Sequence, residues 1–175
     1  MSAGQRGVCL LLPDASNTVW WDSAEWMLRS SPSGSGEVVA LAAAALQAQG
    51  LPDPIPLLSM TAVDVIEARS AGLLSALSVH SAAFAFQMGL LGVMDRLGLC
   101  HTAAASMGVV GEAVAAVAAN HLTLDQAAAV VAKTAFAVGR LEAADVGTGM
   151  LLVRGLEEDE LEQLAAAEQR KARAG

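Results

Sequence analysis

The sequence predicts an α/β protein, a short parallel sheet with many helices, and three observations carry that expectation. Val8-Cys9-Leu10-Leu11-Leu12 is a continuous apolar run halted by Pro13-Asp14, the pattern of an interior parallel strand covered on both faces. Ala103 to Ala119, AAASMGVVGEAVAAVAA, reads as a strand reaching Val109 and Val110, a tight turn, and a buried helix opened by Gly111 and Glu112. Hydrophobic residues make up 54% of the 175, ample material for one domain with a real core.

Taken in order, residues 1–7 form a flexible start and Val8 to Leu12 the first strand. Trp20, Trp21 and Trp26 follow in a segment whose positions 20, 21 and 24 to 28 share a helix face. In a chain with three Phe and no Tyr, this group either packs the core or lines a pocket or interface. Ser31 to Gly36 is a loop by composition, and Glu37 to Gln49 a helix ended by Gly50 and Pro52. Leu51 to Pro56, with its prolines, reads as an extended connector, and Val63 to Leu77 as one or two short amphipathic helices. Ala82 to Leu97 is apolar on nearly every face, which places it between other layers or in an interface. Thr123 and Gln126 have capping-box spacing and start a helix over Asp125 to Leu141. Gly147 to Gly149 is a turn, Met150 to Val153 a strand, and residues 157–175 an amphipathic helix with acids first and Arg170, Lys171 and Arg173 last, as its dipole favours.

A net charge of −8, with basic residues clustered only at Arg170 to Arg173, argues against nucleic acid and anionic membranes as partners. No apolar run reaches a membrane span: Gln87 breaks the longest, and Glu112 and Lys133 break later ones. The start lacks the layout of a signal peptide, so a cytoplasmic protein is expected. Cys9 and Cys100 lack metal-ligand spacing and read as buried reduced thiols, and neither metal nor cofactor is implied.

Strand, tight turn and helix together have the shape of a nucleophile elbow. From Val79 to Leu156 the chain resembles the N-terminal half of a malonyl-CoA:acyl-carrier-protein acyltransferase, or of a polyketide synthase acyltransferase domain, in degenerate and truncated form. The family's G-H-S-x-G-E aligns without a gap on Met107-Gly108-Val109-Val110-Gly111-Glu112, its V-Q-P-A-L-F-A is similar to Val79 to Ala85, and Val8 to Pro13 matches the strand ahead of its P-G-Q-G-S-Q loop. The resemblance implies the large-subdomain core of that family, one domain over residues 1–175.

Carried over position by position, the resemblance puts the nucleophilic serine on Val109 and its neighbouring histidine on Gly108. The carboxylate-pairing arginine falls on Thr134, beside Lys133, and the oxyanion glutamine on Ala15. The general base lies in the half that has no counterpart here. Acyl transfer through a covalent intermediate needs a nucleophile, a base and oxyanion donors, and a valine cannot attack a thioester. Ala104-Ala105-Ser106-Met107-Gly108 also fits a loose A-x-S-x-G, with Ser106 as an alternative nucleophile.

A non-catalytic structural or docking subunit in polyketide or fatty-acid assembly is therefore the leading expectation. Its alternative is an enzyme with a new cyclase-like or dehydratase-like reaction in the emptied cleft. Asp14, His80 and His101 would be its acid and base candidates, with Trp20, Trp21 and Lys133 lining the pocket. A third reading is a binder of apolar ligands. Half of the family's core would leave a sheet edge and helix faces uncovered, which implies a homodimer or a complex with a ketosynthase or acyl carrier protein.

Overall fold

In the computed structural model of the chain, residues 9–12, 21–29, 35–99, 103–106 and 108–144 are described. They form β1 (Cys9–Leu12), α1 (Trp21–Arg29), α2 (Ser35–Ala48), α3 (Ile55–Leu58), α4 (Ala62–Ser70), α5 (Ala76–Arg96), β2 (Ala103–Ser106), α6 (Gly108–Ala118) and α7 (Leu124–Ala143). The expected α/β fold with a parallel sheet is thus corrected: the protein is mostly helical. β1 and β2 make a single parallel ladder in the register Cys9 to Ala103 through Leu12 to Ser106, four residues a side, too small to be the sheet of an α/β fold. The other apolar segments go into helices, including Val109 and Val110, which the sequence suggested as strand. The expected Met150 to Val153 strand and 157–175 helix lie outside the described residues.

The core is built around α5. Ser81 to Gly89 are buried without interruption, more than two turns covered on every side by α2, α3, α6 and α7. Phe84 and Phe86 supply the bulk. Its neighbours come close because two positions carry no side chain. A Cβ at position 89 would stand 2.7 Å from Val39 Cγ2 and 2.8 Å from Met27 Cε, and one at position 92 would stand 2.7 Å from Val38 Cγ2. Trp21, Ala24 and Met27 of α1 are buried against this centre, so Trp21 belongs to the core.

Most helix ends have a local cause. Thr61 with Asp64, and Thr123 with Gln126, form reciprocal capping boxes ahead of α4 and α7, the second as the sequence predicts. Ser75 caps α5 by accepting from the Ser78 amide, which starts that helix at Ala76 rather than at Ala82. The Ala76 amide also donates to Glu142 Oε2 at 3.2 Å, a cap supplied by α7 from a distant part of the chain. Gly50, with φ of 81°, closes α2: its own amide donates to the Gln47 carbonyl and the Leu51 amide to that of Leu46, the paired bonds of a Schellman turn. Gly72, Gly98 and Asn120 close α4, α5 and α6 in the same way. The connector expected over Leu51 to Pro56 is shorter, because proline suits a first helical turn and α3 begins at Ile55.

The early start gives α5 21 residues, which also corrects the expectation that no apolar stretch is long enough for a membrane. Among the described residues α5 alone has the length and apolarity to cross one, and half of its most apolar window is buried inside the protein.

Replacing Gly89 by alanine is expected to cost about 1–3 kcal/mol, because Val39 is β-branched and has little freedom to swing aside within its own helix. Gly36→Ala, where an added Cβ meets nothing within 4 Å, should be neutral or slightly stabilising. Urea denaturation of both variants checks the contrast.

Candidate functional site

The corner between β2 and α6 is where the chain most resembles a catalytic turn. β2 ends at Ser106, Gly108 takes a left-handed φ of 72°, and α6 runs from Gly108. Only glycine adopts that conformation without a steric penalty, so the reversal falls on Gly108. Val109 follows in the first turn of the helix, half-buried, and Val110 beside it is fully buried. In a working elbow the nucleophile itself sits at the sharp turn with its hydroxyl clear of strand and helix. Here the residue in that register is an ordinary helical valine.

Gly111 keeps a physical task. A Cβ there would lie 3.0 Å from the Ser106 Cβ, 3.2 Å from the Leu12 carbonyl oxygen and 3.3 Å from the Leu12 Cβ. The glycine therefore lets the start of α6 press on the ends of both strands, with Leu12 buried beneath it. Ser106 is half-buried at the strand end, under that contact.

The remaining candidates are scattered. His80 stands within α5, not ahead of it, and its Nδ1 donates to the Ala76 carbonyl of the same helix at 2.7 Å. Thr134 is half-buried on α7 and its hydroxyl donates to the Val130 carbonyl at 3.2 Å, while Lys133 is exposed. A hydroxyl bonded back to its own helix does not replace an arginine as a carboxylate partner. Asp14, Ala15, Trp20, His101 and Cys100 lie outside the described residues. Among the described residues no group of three or more His, Cys, Asp or Glu could hold a metal ion.

A cleft lies at the far end of α6 from the corner, about 16 Å away at 1.5 Å rise over the 11 residues of that helix. It has a volume of about 430 Å³ and, among the described residues, is walled by Leu91, Met94, Leu99 and Ala118, with Asp95 and Asn120 as polar side chains. Leu91 and Met94 belong to the stretch that the sequence shows as apolar on nearly every face, but nothing there marks a cleft beside them. Asp95 is visible in the sequence as an acid in the last turn of a mostly apolar helix, but Asn120 comes from the turn after α6 and leaves no trace in the spacing.

Compared with known proteins, the chain matches no family, no curated protein and no solved structure.

Gly111→Ala is expected to destabilise the protein by about 1–3 kcal/mol, since a backbone carbonyl and a buried leucine must give way. Thermal unfolding followed by circular dichroism measures it, and wild-type stability in the variant would mean that α6 does not rest on the strand ends.

Proposed function

We propose that the chain is a non-catalytic, acyltransferase-like protein of the cytoplasm. It acts as a structural or docking subunit in polyketide or fatty-acid assembly, as a homo-oligomer or beside a ketosynthase or acyl carrier protein. One observation carries this reading: Gly108 and Gly111 serve the packing of the corner, while Val109, at the position that resembles the nucleophile, is a regular helical residue. A scaffold of that shape with a side chain that cannot attack a thioester fits a protein that binds rather than transfers. The surface supports docking. Val63 and Ile66, one turn apart on α4, are 64% and 53% exposed, and Leu73 just after that helix is 76% exposed, large apolar side chains available to a partner.

Purified protein, offered acetyl and malonyl thioesters together with an acyl carrier protein, is expected to give no turnover above the uncatalysed rate. Co-expressed with a ketosynthase and an acyl carrier protein, it should co-purify with one of them, or else sediment as a dimer on its own. Thioester turnover that disappears in Ser106→Ala would instead make it an enzyme working from the end of β2.

A further inference from the structure

Among the described residues, the cleft between the last turns of α5 and α6 carries charge of one sign. Two helices end at it, and their closing turns already engage the last carbonyls: Val93, Met94 and Asp95 accept from the Leu97, Leu99 and Gly98 amides, and Ala116 and Val117 from those of His121 and Asn120. Asp95 places a carboxylate at the rim. The cation next to it in sequence is directed elsewhere: Arg96 reaches Glu37 of α2 at 3.5 Å. Among the described residues, no basic side chain lines the cleft. Its walls, Leu91, Met94, Leu99 and Ala118, are apolar, and Leu99 is 50% exposed. At about 430 Å³ the space is within the range of small-molecule pockets.

We propose that this cleft binds a small amphipathic ammonium compound, an alkylamine or arylalkylamine. Its apolar body would lie against Leu91, Met94 and Ala118, and its charged nitrogen would face the Asp95 carboxylate. Apolar contact supplies most of the affinity, because burial of hydrocarbon is the larger effect and an exposed ion pair is weak. The charge supplies the selection, disfavouring an acid of the same shape. Asn120 holds the turn that ends α6 and offers its amide oxygen as a further acceptor at the rim.

Three probes of one shape and different charge test this on the full chain: 4-phenylbutylamine, 4-phenylbutanol and 4-phenylbutanoate, titrated by calorimetry or by amide chemical shifts. Saturable binding of the amine is expected, with the alcohol about fivefold weaker and the acid weaker again, the scale of one exposed charge pair. Asp95→Asn should bring amine and alcohol to within about twofold of each other while leaving the fold intact, since Asp95 is exposed. Ala118→Leu, which fills the cleft, should abolish binding of all three, with circular dichroism confirming that the variant is folded. Equal affinity for the three probes, an amine preference that survives Asp95→Asn, or absence of binding would overturn the proposal.

Discussion

The close approach of α1 and α2 to the backbone of α5 is the constraint on which the other packing depends. Two glycines three residues apart leave a shallow track on one side of α5, and Val38, Val39 and Met27 sit in it. A helix buried all round must find partners on every side, and here each partner is a different element of the chain. Without that track α2 would stand off by the depth of a methyl group, opening space beside Phe84 and Phe86. Interiors are packed as densely as organic crystals, so a gap of that size is felt as lost stability.

Around that centre the chain economises on loops by finishing helices cleanly. Three glycines and Asn120 take left-handed conformations that turn the chain at once, and Glu142 closes the start of α5 from the end of α7. Buried polar groups are handled in the same spirit: Ser81, fully buried on α5, donates to the Pro52 carbonyl at 2.7 Å, so the connector ahead of α3 is tied to the central helix. Local capping and a few long-range bonds thus fix where each helix begins, while apolar burial decides how the helices lie against one another.

Signals that act within a few residues were legible in the sequence. The Thr123 to Gln126 capping box, the end of α2 at Gly50, the strand over residues 9–12 and the buried character of α5 could all be read there. The fold class could not, because two apolar runs of strand type suggested a sheet that the other described residues do not continue. Val109 and Val110 favour strand by β-branching, yet the left-handed Gly108 lets the helix begin before them. Ser75 was missed as a cap because its signal is a single hydroxyl ahead of an apolar run, and Glu142 because its partner lies 66 residues away. At the candidate site the sequence showed a strand leading into a helix but set the turn at Gly111, three residues beyond the Gly108 where it falls, and it did not show the cleft, which is made by two helix ends that meet only in three dimensions.

α6 is held at its start by Gly111 against the strand ends, and along its length by α5 and α7. The closest approaches, at Gly89, Gly92 and Gly111, hold α1, α2, α5, α6 and the two strand ends together, and the rigidity of that framework rests on α5. Native-state hydrogen exchange measures that directly. The amides of Phe84 to Met88 should exchange only through global unfolding, as the slowest in the chain, with α4 opening earlier. Exchange of the α5 amides before those of α2 and α7 would contradict the account, because a helix that opens first cannot be the one the others are built upon.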